Sequence, residues 1–171
     1  MNCPQNNKTT RVNISSFLLH KCKAGGFWDS ILTSDETWIY FDNKTQKKQW
    51  LSPGQAPRTT PKPDIHGKKI MLCCWWNSRG LVYYELVNPM HNIDADLYSK
   101  QLMRVSDSLK KLGINQSKVR FLQDNAKPHT AKVTHKKLDE LGWKLLPHAP
   151  YSPDLAPSDY HLFRSLKQFL Y

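Results

Sequence analysis

The chain has 171 residues, enough for one hydrophobic core and cramped for two. Its 25 Lys and Arg against 14 Asp and Glu leave a formal charge of +11, which points to a polyanionic partner, nucleic acid first. With 39% hydrophobic residues and six Trp it is too apolar for a disordered basic tail, and no run approaches the ~18 apolar residues of a membrane span.

The opening MNCPQNNKTTRVN lacks the apolar stretch of a signal peptide, so the expectation is an intracellular protein. Cys3, Cys22, Cys73 and Cys74 contain no CxxC pair, which argues against a zinc site or a disulfide framework. Ile14, Phe17, Leu18 and Cys22 recur at helical spacing, and the pattern predicts an amphipathic helix over 11–23 closed by Gly25 and Gly26. A strand over 31–42 follows from its β-branched and aromatic residues, with KKQWL at 47–51 as a short partner. Residues 52–67 hold four prolines and two glycines and form a long exposed loop.

KKIMLCCWWN and LVYYELV, joined by Ser78-Arg79-Gly80, read as a hairpin. Leu97, Leu102, Val105, Leu109 and Leu112 give a helix stopped by Gly113. VRFLQDN at 119–125 is a short strand, KVTHKKLDEL a helix ended by Gly142, and WKLLPHAP at 143–150 another strand-like run. Leu162, Phe163, Leu166, Phe169 and Leu170 mark a last helix from near Ser158. Strands first, then strands alternating with helices, describe an α/β fold with a mixed sheet.

Chemistry has to be sought among carboxylates, because no Gly-rich phosphate loop, GxSxG or HExxH occurs. Asp35 shares a strand face with Ile31, Thr33, Thr37 and Ile39, the covered side of the sheet. Asp124 ends a strand, where loops open a sheet to ligands. Asp159 opens the last helix on the edge that faces the core. Each has an ordinary reading as well: a surface charge for Asp35, a turn residue for Asp124, a helix N-terminal charge for Asp159. Together they would repel one another unless divalent cations neutralise them, and oxygen-only ligands suit Mg2+ or Mn2+. Two such ions clamp the attacking and leaving oxygens of a phosphodiester displacement, so a metal-dependent nuclease is the reading. Asp154, between Pro153 and Leu155, is a rival third ligand with a turn role as its alternative.

Four stretches, TSDETWIYFDN, WLSPGQAP, FLQDNAKPHTA and LPHAPYSPDLAPSDYHLF, resemble the mariner branch of the mariner/Tc1 DNA transposases. The 34 residues from 125 to 158 that separate Asp124 from Asp159 match the DD34D signature of that branch. The resemblance runs over roughly 11–171. It implies an RNase H-like, retroviral-integrase-type catalytic domain with helices flanking the sheet, one that excises a transposon from its inverted repeats and joins it at TA dinucleotides. It further implies that Asp35, Asp124 and Asp159 hold two Mg2+ or Mn2+ ions, that DNA is the partner, that the full-length protein pairs as a homodimer, and that it works in the nucleus. The family usually has Gly where this chain has Ser34, which is tolerable if the backbone there keeps an ordinary φ. Full-length members begin with two helix-turn-helix modules and continue past the last helix. The expected division is therefore an N-terminal segment, 1–28, whose helix leads into the core, and a catalytic domain, 29–171, shortened at its C-terminal end.

Around the acids, Asn125 and His129 are candidate DNA-contact residues, and His161 sits beside Asp159. Between 43 and 69, Lys44, Lys47, Lys48, Arg58, Lys62, Lys68 and Lys69 face Asp64 alone, a basic loop suited to a DNA backbone or, by the resemblance, to a partner subunit. Trp38, Trp75 and Trp76 alternate within apolar strands and read as core or sheet-face residues rather than a base-stacking platform. The main expectation is a transposase catalytic domain; the alternative is a non-catalytic DNA-binding or interaction module, decayed or domesticated, and a ribonuclease H is a third reading.

Overall fold

The computed structural model of the protein describes residues 5–23, 25–41, 49–56 and 67–170. Its elements are α1 (Gln5–Cys22), β1 (Ile31–Tyr40), β2 (Lys69–Asn77), β3 (Gly80–Val87), α2 (Ala95–Lys111), β4 (Arg120–Leu122), α3 (Lys132–Leu141), β5 (Lys144–Leu145) and α4 (Arg164–Leu170). The strands form one sheet in the order β3-β2-β1-β4-β5. β1, β2 and β3 run antiparallel as a meander, whereas β4 and β5 run parallel to β1. This is the mixed α/β sheet with flanking helices that the sequence predicts, with RNase H-like topology.

Alternation along β1 and β2 divides the sheet into two faces. Leu32, Cys73 and Trp75 point to the far face, where they pack with Tyr98, Leu102, Val105 and Leu109 of α2 and Leu138 of α3 into the largest core cluster. Side chains of this size each contribute about 1.5–3 kcal/mol when fully buried. α2 starts where Asp94 accepts from the Leu97 amide at 2.7 Å, and it stops before Gly113, whose φ of +69° only glycine adopts cheaply. The near face carries two smaller clusters. Phe27, Leu122 and Leu146 pack with Leu18, Cys22 and Ile31 under α1, while Leu72, Cys74 and Phe163 pack with Ile39, Leu162 and Leu166 at the C-terminal helix.

Four expectations change. α1 begins at Gln5, its inward row is Ile14, Leu18 and Cys22, and Phe17 is 46% exposed because it lies off that row. Gln49–Leu51 form no strand; β1 takes β2 as its antiparallel partner, and Trp50 is fully exposed. The strands expected at 119–125 and 143–150 shrink to β4 and β5, because the chain leaves the sheet after Leu122 and Leu146 to build a cavity. Finally, the last helix opens with a π-helical turn, Ser158–Phe163, before it becomes α4.

Candidate active site

β1 and β4 are parallel neighbours with Thr33 opposite Leu122, so Asp35 and Asp124 follow two residues later on adjoining paths. Asp35 lies opposite Cys74 on the near face, and its Oδ1 accepts from the Glu36 amide at 2.8 Å. Asp124 stands just beyond β4. Its Oδ1 accepts from the Ala126 amide at 3.0 Å and lies 2.6 Å from Nδ1 of His129. Asp159 arrives from the opposite direction on the π-helical turn, a geometry that widens the backbone by one residue per turn and is frequent at functional sites. Phe163, Leu162 and Leu166 pack below it, and the Trp76 indole donates to Ser158 Oγ at 3.0 Å, which ties the turn to β2.

All three carboxylates line one cavity of about 100 Å³, together with Ser34, Gln123, His148 and Pro157 among others. Burial, followed by the negative charge of Asp159, pushes the Asp35 pKa up to about 7, with Glu36 and Asp124 adding repulsion. Asp159 is raised by burial, which the charge of Lys167 offsets in part. Burial acts in the same direction on Asp124, yet the His129 and Ala126 hydrogen bonds outweigh it and lower its pKa. The result is two reluctant acids and one committed anion around a shared space. Carboxylate oxygens are the donor set that suits Mg2+ or Mn2+, and a cation would relieve this repulsion, so the residues fit such an ion. Among the described residues no three His, Cys, Asp or Glu side chains already surround a common point, so the acids share a cavity wall rather than a closed cage.

Other predicted residues fall elsewhere. His129, expected to contact DNA, is only 2% exposed and is therefore corrected to a buried partner of Asp124; burial alone would lower its pKa, but Asp124 and Glu36 raise it to about 9. Asn125 is exposed, and its side-chain amide donates to the His148 carbonyl at 3.0 Å, linking the two loops that frame the cavity. Lys68 is exposed beside β2, and the Lys69 ammonium lies 4.6 Å from the Trp38 ring centroid. Lys44, Lys47, Lys48, Arg58 and Lys62 lie outside the described residues. Asp154, the rival third ligand, does not line the cavity; it is one end of a bidentate ion pair with Arg11, at 2.7 Å for both contacts, which joins α1 to the loop before the π-helical turn. His161 is exposed against the Trp76 ring, and Trp75 is a core residue. Ser34 keeps ordinary strand backbone, which removes the concern over the glycine it replaces.

The sequence reading missed His148, which lies on the cavity wall and whose pKa burial holds down against the pull of Asp124, Asp159 and Asp154. It also missed Glu36, although the alternation along β1 puts this carboxylate on the same face as Leu32, an early sign of a buried charge.

The family model described as Transposase (partial DDE domain) matches residues 40–119, the stretch between the first two acids. The mariner Mos1 transposase of Drosophila mauritiana is 42% identical over 160 residues, covering 91% of this chain and 46% of that protein. The histone-lysine N-methyltransferase SETMAR of Homo sapiens is 41% identical over 169 residues, 97% of this chain and 25% of that protein. The crystal structure of the Mos1 catalytic domain is 36% identical with a TM-score of 0.78, over 99% of this chain and 74% of that one. The chain belongs to the mariner transposases. Mos1 in its paired-end complex with Mn matches it at a TM-score of 0.90 and 43% identity, over 99% of this chain and 51% of that one. The Mos1 strand transfer complex matches at 0.89 and 42%, over 99% and 50%. This mariner chain thus spans half or less of its curated relatives, and the part it shares includes the catalytic domain.

Proposed function

We propose that this chain is the catalytic unit of a cut-and-paste DNA transposase, cleaving phosphodiester bonds at transposon ends and joining the freed ends to new DNA. The convergence of Asp35, Asp124 and Asp159 on one cavity carries the reading. These three residues would hold two ions of Mg2+ or Mn2+; the Mos1 paired-end complexes with Mn and with Mg support a divalent metal. When bound, such ions activate the attacking oxygen and stabilise the leaving one. The protein's own part is placement. His129 and the Ala126 amide fix the Asp124 carboxylate, the packed π-helical turn fixes Asp159, and His148, kept neutral near pH 7 by burial, offers a hydrogen-bonding ring without adding charge.

The same reading makes DNA the substrate, which the transposon-end and strand transfer complexes of Mos1 support, and takes the nucleus as the place of action and a pair of subunits as the working form. No helix of the described residues is long and apolar enough to cross a membrane. Binding through the basic stretch 43–69 is electrostatic. Replacing Lys44, Lys47 and Lys48 by Ala should weaken binding to every DNA sequence alike and lower the salt slope by about three, measured by fluorescence anisotropy at several salt concentrations.

Plasmid nicking in Mg2+ or Mn2+ tests the activity. The chain should nick duplex DNA, and Asp124→Asn should not. Nicking that survives this substitution, or activity confined to an RNA/DNA hybrid, overturns the proposal.

A further inference from the structure

Three of the four residues that flank the first two acids along the chain point to the far face, and there they meet. Ser34 and Glu36 bracket Asp35, and Gln123 precedes Asp124. On the far face Tyr98 of α2 is completely buried; its hydroxyl donates to Gln123 Oε1 at 2.8 Å and lies 3.2 Å from Ser34 Oγ. Gln123 Nε2 in turn donates to the His129 carbonyl at 3.2 Å. The Tyr98 and His129 rings are in contact, tilted by 35° with centroids 4.2 Å apart. His129 reaches both acidic strands: Nδ1 lies 2.6 Å from Asp124 Oδ1, and Nε2 lies 3.4 Å from Glu36 Oε1, a charge contact outside good hydrogen-bond geometry. Trp75, whose ring centroid lies 6.3 Å from that of Tyr98, is fully buried as well.

The geometry points to Glu36, His129 and Tyr98 as a positioning unit, buried behind the sheet, that sets the Asp124 and Asp35 carboxylates in place for divalent cations. None of the three touches substrate. Tyr98 bridges the strands that carry the two acids, so it fixes their separation; His129 fixes the rotation of the Asp124 carboxyl; Glu36 holds the His129 ring from its other nitrogen. A ligand's hydrogen-bonded partners control cation affinity by orienting it, and their loss typically costs about 10- to 100-fold. A helix on the opposite side of the sheet from the cavity therefore takes part in the site.

This inference rests on the proposed metal site, and calorimetric titration of Mn2+ into the chain without DNA separates the two. The wild type should bind Mn2+, and Asp124→Asn should lose most of the binding. His129→Gln and Glu36→Gln should bind about tenfold or more weakly, and Tyr98→Phe, which removes one hydroxyl and keeps the ring, more weakly than wild type but by less than tenfold. Circular dichroism at the titration temperature checks that each variant is folded. A wild type that binds no Mn2+ overturns the metal-site reading and this inference with it. A wild type that binds, with folded variants binding equally well, overturns the inference alone. If Glu36→Gln and His129→Gln unfold while Tyr98→Phe folds and keeps wild-type affinity, the unit is only a piece of core, and the inference is likewise overturned.

Discussion

The two faces of the sheet are built for different tasks. The far face is sealed by α2 and α3 over one continuous apolar cluster, with a few polar side chains buried within it. The near face is covered in two separate patches, by α1 at one end and by the π-helical turn with α4 at the other, and the acid cavity is lined from both regions. Tyr84 and Leu86 on β3, paired with Cys74 and Leu72, are 57% and 51% exposed on this side. Stability is concentrated behind the sheet so that three like charges can be assembled in front of it.

Charge removal on the near face should produce the largest effect. Asp159→Asn keeps the size of the side chain and its packing, yet should reduce plasmid nicking by about a thousandfold, the equivalent of several kcal/mol of lost charge stabilisation. Asp154→Asn, five residues earlier in the preceding loop and paired to Arg11, should leave nicking within a few fold of wild type. The reverse result would mean that the triad has been misassigned.

Next comes packing. Trp75→Ala, at a position with no exposure on the far face, should cost about 3–5 kcal/mol in urea unfolding. Leu166→Ala, half-buried at the near-face helix, should cost about 1 kcal/mol. Equal costs would remove the contrast between the faces.

The pH dependence sharpens it further. His129 has a folded pKa of about 9 against an ordinary 6.5, so its contribution to stability is full below about 6.5 and is lost as pH rises through 9. Asp35, at about 7 against 3.8, holds its proton more tightly when folded, so stability also falls between those two values as pH rises. Without divalent ions the melting temperature should therefore decline from pH 5 to pH 9, in two windows. Asp35→Asn should flatten the lower window and His129→Gln the upper; a melting temperature that rises toward pH 9 contradicts both assignments.

The smallest expected effect belongs to the clasp at the edge of the near face. Arg11→Ala breaks an ion pair whose side chains are 34% and 60% exposed, which solvent screens, so the loss should stay under about 1 kcal/mol by thermal unfolding.

These contrasts show which parts of the molecule a sequence makes legible. The helix ends at Gly113 and Gly142, the hairpin and the face on which Asp35 lies all follow from local rules of spacing and backbone conformation. The acids are recognisable because each lies within a characteristic short stretch, and the 34 residues between the last two specify the branch. His129 is misread because a histidine in a polar DNAKPHT stretch carries no local mark of burial; its environment is made by Tyr98, 31 residues earlier in the chain, and by Glu36 on another strand. For the same reason β4 and β5 are overextended in the reading: whether LQDN and LPHAP stay in the sheet depends on the cavity they are bent to form.

The π-helical turn beneath Asp159 also constrains how this gene segment can change length. Such a turn accommodates one more residue than an α-helix over the same rise, so deleting a single residue between 160 and 163 would let the backbone heal into a continuous α-helix with α4 still seated by Leu166. The helix would survive, and because the wide turn had absorbed the extra residue, Asp159 would stay near its place relative to α4; only a deletion inside α4 itself, where each residue advances the helix by about 100°, would swing Asp159 away from Asp35 and Asp124. A one-codon deletion in the wide turn should therefore leave a folded protein that still nicks plasmid DNA, whereas a one-codon deletion early in α4 should leave a folded protein with its third acid pointing elsewhere.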